Sequence, residues 1–377
     1  MTHFQNAQPH IAICGAGLLG RLLAWRLLLE GYKVYLFEAS SFTASRAAAF
    51  TAAGMISPLS ELAVSEKCIY DLGLTSLALW QSWLPALNTK QSLLSCNGSV
   101  ALAHPQDHLE LTQFYRDISH KLQGETVTAQ WLDATQLRAL EPQLNQFNQA
   151  IYLPSEAHVD NRQLLPLLLT SIKKLGGMCA ENCPISFTDG AICEASTLNL
   201  KQLNIADNVD YWIDCRGMGA KLATGPLRGV RGEVLWVETK EVSFQRPIRL
   251  MHPRYKLYAV PKPKHQFIIG ATEIESEDTS PISLQSTLEL SSALYTLHPA
   301  FAEARVIETD TNLRPAYPNN QPQITQTNQV MSINGLYRHG FLLAPALVAE
   351  AIQQLKARFT PPSKPYHHKD KNALCKS

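Results

Sequence analysis

Gly15-Ala16-Gly17-Leu18-Leu19-Gly20 constrains the fold of this 377-residue chain more than any other stretch. It follows a short apolar run, Ile11-Ala12-Ile13-Cys14, and opens a segment, Leu18 to Glu30, whose pattern predicts a helix ended by Gly31. Lys33 to Phe37 predicts a second buried strand, with Glu38 at its end. Strand, glycine turn, helix and strand form one βαβ unit, and G-x-G-x-x-G in that setting is a dinucleotide-binding signal. Gly15 permits the tight turn, Gly17 lets the backbone approach a pyrophosphate, and Gly20 lets helix and strand pack closely. The helix N-terminus at Leu18 and Leu19 offers N–H groups and a positive dipole end. Glu38 is placed to accept hydrogen bonds from ribose hydroxyls. FAD and NAD present the same ADP half, so both stay open on this signal alone.

A chain of this length exceeds the usual span of one domain, about 100–200 residues, and two domains are expected. The composition, 45% apolar and 17% charged, is that of a soluble globular protein. A formal net charge of +1 gives no general attraction to nucleic acid or an anionic membrane, so small molecules are the expected partners. The eight cysteines form no C-x-x-C pair and no metal-spaced cluster with histidine; Cys179 and Cys183 lack a matching second pair. Reduced thiols, no metal and a cytoplasmic location are expected. Met1 to His10 does not resemble a signal peptide. The most apolar stretch, Leu18 to Leu29, contains Arg21 and Arg26 and is shorter than the roughly 20 residues of a membrane span, so no transmembrane segment is expected. Assembly into a homo-oligomer stays open.

The pattern predicts an α/β fold: a Rossmann-like domain discontinuous in sequence (1–90, 150–220 and 311–359) and a second α+β domain on an antiparallel sheet (91–149 and 221–310). A helical stretch opens in the small-residue run from Ala47 to Gly54, and Ser60 to Trp83 is mainly helical in pattern. Gly98 to Ala103 reads as a strand, Asp107 to Leu122 and Arg162 to Leu175 as helices, and Tyr211 to Asp214 as a strand. Glu233 to Val237, Leu257 to Val260 and Gln266 to Ile269 read as strands of the antiparallel sheet. Helices are expected at Leu284 to Leu297 and Ala346 to Arg358, and Thr360 to Ser377 reads as a disordered tail.

Several separate motifs across about residues 10 to 355 resemble the D-amino-acid oxidase superfamily of flavoproteins, and within it the glycine oxidases associated with thiamine biosynthesis. Ser45-Arg46 with Thr51-Ala52-Ala53-Gly54-Met55, Pro58 and Glu61 is similar to the family's S-A-A-G-M-x-x-P-x-x-E segment. Trp131-Leu132-Asp133 with Leu140-Glu141-Pro142, and Val159-Asp160 with Leu164-Leu165, resemble architectural segments. Val230-Arg231-Gly232-Glu233-Val234 is similar to V-R-G-Q-V, and Asp214-Cys215-Arg216-Gly217 stands where the family has A-A-G, so only Gly217 is carried over. Leu257 to Pro261, Ile269 to Glu273, Leu313 to Ala316 and Tyr337 to Pro345 follow in family order. Two positions depart from the pattern. Tyr317-Pro318-Asn319 replaces T-P-D, and Gly335-Leu336-Tyr337-Arg338-His339-Gly340 replaces G-H-x-R-x-G.

The resemblance implies non-covalent FAD. It places Arg46, Thr51, Ala52, Ala53, Gly54, Met55 and Gly217 beside the cofactor, and makes His339, Gly340, Phe341 and Leu342 a loop facing the flavin pyrimidine. A helix would follow with Pro345 near its first turn. The implied reaction is oxidation of a small amino acid (glycine, sarcosine or a small D-amino acid) by hydride transfer to flavin, with oxygen or another electron acceptor closing the cycle. Arg314 and Arg338 would face the substrate carboxylate, with Tyr258 supplying a hydroxyl. Met55 is expected to pack on flavin or substrate, and Glu273 to meet a substrate amine or solvent. The competing readings are a dehydrogenase using a non-oxygen acceptor, an NAD-dependent dehydrogenase and a non-catalytic flavin-binding factor.

Overall fold

The computed structural model describes residues 8–43, 47–188, 191–193, 209–223, 225–254, 256–327 and 329–359. Arg46 and the 360–377 tail, both assigned from sequence, lie outside the described residues. Two large sheets carry the architecture. The first has six strands in the spatial order Gln323–Gln326, Val330–Asn334, Tyr211–Asp214, His10–Cys14, Lys33–Phe37 and Met178–Ala180. Its pairs are parallel except for the Gln323–Gln326 hairpin edge. Parallel strands buried on both faces need continuous apolar runs, and Ile11 to Ile13 and Leu36 are completely buried. Helices Leu18–Leu29, Asn161–Lys174 and Gly340–Phe359 pack on this sheet, and Lys67–Trp83 packs on the last of them.

The second sheet has eight strands in the order Arg305–Ala316, Arg228–Glu238, Gln266–Gly270, Lys256–Lys262, Ile248–Met251, Ser99–Ala103, Gln149–Leu153 and Gln130–Asp133. All neighbours are antiparallel apart from Ile248–Met251 beside Ser99–Ala103. Helix Leu284–Leu297 covers one face through Leu290, Ala293, Leu294 and Leu297. The Arg305–Ala316 strand belongs to this sheet along its whole length, including Arg314. A three-stranded sheet of Met55–Ile56, Ala157–Val159 and Leu94–Ser95 joins the two.

The last helix starts at Gly340, six residues before the sequence pattern predicted, and so contains Pro345 in its second turn. Proline has no N–H for the carbonyl four residues earlier, which normally breaks a helix. Here the Trp80 indole Nε1 donates to that carbonyl, Phe341 O, at 2.8 Å. Ser76 Oγ accepts from the next amide, Ala346 N, at 3.1 Å. Helix Lys67–Trp83 thus supplies the missing bonds and keeps the helix intact back to the residues that face the site.

Candidate active site

The fingerprint glycines are fixed by contacts that admit no side chain. A Cβ on Gly20 would lie 1.9 Å from the Gly15 carbonyl oxygen, and Gly15 itself, at φ +96°, packs against the Cys215 backbone. Gly17 differs: its nearest neighbour would be Ala47 Cβ at 3.4 Å, so the space beside it belongs to the cavity. Arg21, which in the sequence served only to argue against a membrane span, is fully buried one turn into the helix. Its Nε donates to Ala16 O at 2.6 Å, and its terminal nitrogens to Leu165 O and Phe42 O at 2.8 and 3.2 Å. These bonds tie the glycine loop to helix Asn161–Lys174 and to the segment at Phe42. Glu38 accepts from Ala16 N at 2.9 Å and from the Ser40 hydroxyl at 3.1 Å, and its carboxylate lies on the cavity wall.

One continuous cavity of about 1150 Å³ runs from this loop to the face of the eight-stranded sheet. That exceeds the roughly 300–1,000 Å³ of common small-ligand pockets and leaves room for a large cofactor together with a small substrate. Gly15, Gly17, Leu18, Leu19 and Glu38 line one end. Thr51, Ala52, Ala53, Gly54, Met55, Gly217, His339, Gly340, Phe341 and Leu342 line the middle, and Tyr258, Arg314 and Arg338 the far end. Gly20 stands behind the wall. Two helix N-termini, at Leu18 and Gly340, open onto this space, and their unpaired N–H groups and dipoles favour anionic groups. A Cβ on Gly340 would meet nothing within 4 Å. Glycine cradle, acidic ribose acceptor and paired helix ends fit an ADP-containing flavin cofactor.

The Ala52–Met55 segment is pinned from the second sheet. Lys262 Nζ donates to Ala53 O at 2.8 Å and to Val159 O at 3.0 Å, with Asn161 Oδ1 at 3.4 Å. Burial, with some repulsion from Arg162 set against attraction from Asp160, lowers its pKa to about 8. Thr51 Oγ1 donates to Asp310 Oδ2 at 2.7 Å, which ties the preceding residue to the same sheet.

At the far end, strand register decides which side chains meet. Arg249 opposes Tyr258, and Tyr258 opposes Gly270, so all three belong to one sheet face. Gly270 lets the Tyr258 ring lie across it; a Cβ there would be 2.7 Å from the hydroxyl. Arg314 reaches in over Gly232 and donates to Thr272 O at 3.0 Å and Arg231 O at 3.3 Å. Among the described residues no carboxylate lies within ion-pair distance of it. Burial pushes the Tyr258 hydroxyl pKa up, opposed by Arg314 and Arg249.

Arg338 is engaged differently from Arg314. Its Nη2 meets Glu61 Oε2 and its Nη1 meets Glu273 Oε2, both at 2.9 Å. The same Glu61 oxygen lies 2.9 Å from His339 Nε2, and Glu273 accepts from the Tyr337 hydroxyl at 2.5 Å. Burial raises the Glu61 pKa, but Arg338, His339 and Arg249 together hold it below the ordinary carboxylate range. Glu273 thus serves as a partner of Arg338 and Tyr337. Arg216, the departure at the A-A-G position, forms an ion pair with Asp214 at 2.7 Å and stacks on Phe187. Arg21, Arg249 and Lys262 were not selected from sequence, and only the folded register gives them places at the site.

A parallel sheet with a glycine loop at its carboxyl edge, opening into a cavity floored by an antiparallel sheet, defines a dinucleotide-cofactor oxidoreductase. Residues 10–355 match the family described as FAD dependent oxidoreductase, and the chain belongs to that family, with FAD as its cofactor. It is 39% identical over 347 residues to a thiamine biosynthesis oxidoreductase, ThiO, of Rhizobium etli, covering 92% of this chain and 96% of the relative. It is 24% identical to a glycine oxidase of Geobacillus kaustophilus over 95% of this chain and 96% of that protein. The crystal structure of glycine oxidase from Geobacillus kaustophilus superposes with a TM-score of 0.76 at 21% identity, covering 94% of this chain and 96% of that one. Among the described residues no helix is long and apolar enough to cross a membrane.

Proposed function

We propose that this enzyme oxidises a small amino acid (glycine, sarcosine or a small D-amino acid) to its imine, which water converts to the 2-oxo acid and ammonia or an amine. The observation that carries this reading is Arg314. A guanidinium held by two backbone carbonyls, without a carboxylate of its own among the described residues, on the wall of a cavity that reaches the cofactor loop, is a receptor for a substrate carboxylate. Bound FAD supplies the hydride acceptor.

The remaining work belongs to the chain. Arg314 fixes the carboxylate and Tyr258 adds a hydroxyl from the same sheet, two strands intervening, so the substrate Cα–H is presented toward the middle of the cavity. Orientation of this kind is worth up to about 7–11 kcal/mol of barrier. The amine reacts unprotonated, and hydride departure from a neutral amine requires no protein base. The helix N-terminus at Gly340 would present positive potential to bound FAD, and Ala52–Met55 would line the same part of its site. Kinship with ThiO supports a role for the imine in thiamine biosynthesis.

The test is anaerobic mixing of purified holoenzyme with glycine, sarcosine and D-alanine while flavin absorption is followed. Bleaching by at least one is expected, and readmission of air with peroxide detection distinguishes oxygen from another acceptor. A flavin that dithionite bleaches and none of the amines touches would overturn the reading.

A further inference from the structure

The substrate end of the cavity holds three cations against two acids, and the acids are shared unevenly. Arg249, Arg314 and Arg338 line it with two acids, Glu61 and Glu273. Arg338 takes both acids at 2.9 Å, and His339 shares the Glu61 oxygen that Arg338 uses. Arg249 is left with a 3.9 Å approach to the other Glu61 oxygen, beyond hydrogen-bond range. Its Nε is buried with no hydrogen-bond partner among the described residues. Glu273 is half exposed, so water weakens its share of the compensation. A substrate with one carboxylate answers Arg314 and leaves Arg249 facing the cavity.

Placement supports the same reading. Arg249 and Tyr258 are cross-strand neighbours on one face, and neighbouring strands lie about 4.8 Å apart. Arg314 approaches Tyr258 from the opposite side, over Gly232, and both arginines act on the Tyr258 hydroxyl. The hydroxyl therefore stands between two cations, neither of which has an acid within hydrogen-bond range among the described residues, with Glu61 the nearest to Arg249 at 3.9 Å. A cation kept in a partly desolvated cavity without a close acid is costly unless a ligand completes it.

We propose that Arg249 is a second anion anchor and a specificity-determining residue, and that the preferred substrates are amino acids carrying a second carboxylate on the nitrogen or side chain. This rests on the amino-acid oxidation reading above, and Arg249 takes no part in the hydride step. N-(carboxymethyl)glycine and D-aspartate are the simplest members of the class. Arg314 would hold the carboxylate next to the reacting Cα, and Arg249 the other.

Two measurements test it. Oxidised holoenzyme is titrated with non-oxidisable acetate, malonate and oxydiacetate, and binding is read from the shift of the flavin absorption bands. At least one dianion should bind about ten-fold or more tighter than acetate. Arg249→Met should lower dianion affinity far more than acetate affinity, so that the dianion-to-acetate ratio falls toward one with flavin content retained, and Arg249→Lys should keep part of the advantage. Anaerobic flavin reduction by glycine, N-(carboxymethyl)glycine and D-aspartate should then show a kcat/KM advantage for a diacid that Arg249→Met abolishes. A wild-type protein that binds dianions no better than acetate, or an Arg249→Met protein that keeps the preference, overturns the second anchor. Should Arg249→Met fail to fold, the wild-type dianion-to-acetate ratio decides alone. If glycine, sarcosine or D-alanine reduces the flavin and no diacid gains, only this proposal falls; if none of these amines and neither diacid reduces it, the oxidation reading falls with it.

Discussion

Replacing Arg314 by alanine removes a guanidinium whose two protein bonds are to backbone oxygens, Thr272 O and Arg231 O, and which has no carboxylate within ion-pair distance among the described residues, Glu273 acting on it only from further away. The structural loss is therefore modest. Two hydrogen bonds contribute about 0.5–1.5 kcal/mol each, and the cavity leaves room for water to replace the donors. The functional loss is larger, because a substrate carboxylate entering the cavity would find no opposing charge. Truncating one partner of such a pair costs about 2–5 kcal/mol, roughly thirty-fold to several thousand-fold in kcat/KM. Arg314→Lys should recover only part, since an ammonium cannot make the two parallel bonds of a guanidinium. The assay is anaerobic flavin reduction by a panel of small amino acids, with wild type, Arg314→Ala and Arg314→Lys compared at equal flavin occupancy. Flavin content should be unchanged in both variants. Reduction by Arg314→Ala within a few-fold of wild type would refute the clamp and remove the reason for calling the substrate an amino acid.

Gly20→Ala should lower both thermal stability and flavin content, because its Cβ would fall 1.9 Å from the Gly15 carbonyl oxygen; full flavin occupancy after purification would contradict that packing. Glu38→Ala should raise the FAD dissociation constant about ten- to a hundred-fold, the range for losing hydrogen bonds to a charged acceptor, measurable by fluorescence of released flavin. His158 is buried against Lys262, and desolvation lowers its pKa to about 3 from an ordinary 6.5. Between those values the unfolded chain binds the proton and the folded chain does not, so this histidine makes stability fall as pH falls through that window. Denaturation midpoints at pH 7 and pH 5 should therefore lie closer together in His158→Phe than in wild type.

The fingerprint and its strands were legible because they are local. Lys33–Phe37 and Tyr211–Asp214 have the bounds that the pattern predicts, and His10–Cys14 and Leu18–Leu29 differ by one residue at one end. Arg305–Ala316 was hidden by Asp310, Asn312 and Pro315, residues that read as turn formers. An edge strand tolerates them, since Pro315 needs no partner on the open side. Cys14 was readable as the residue before the glycine turn, and Gly217 as a cofactor contact through the resemblance, whereas the partners of Arg338 were not. Glu61 lies 277 positions away from it, and nothing in a linear reading distinguishes an arginine poised for substrate from one already satisfied. Arg249 was invisible for a related reason. In Pro247-Ile248-Arg249-Leu250 it looks like the exposed residue of an alternating strand, and only pairing with Tyr258 turns it toward the cavity.

The interleaving of the two large sheets dictates when the cofactor can be loaded during biogenesis. The fingerprint strand His10–Cys14 is made early, yet its neighbour Tyr211–Asp214 follows some two hundred residues later, and that strand waits in turn for Val330–Asn334. Between these visits the chain leaves to build most of the eight-stranded sheet. The middle of the cavity wall, Leu336 to Leu342, arrives after all of this. Such long-range pairings slow folding and leave no amino-terminal half able to close on its own. The complete cavity wall thus exists only once residues as late as Leu342 are in place, and a fully formed FAD site requires nearly the whole polypeptide in its native arrangement.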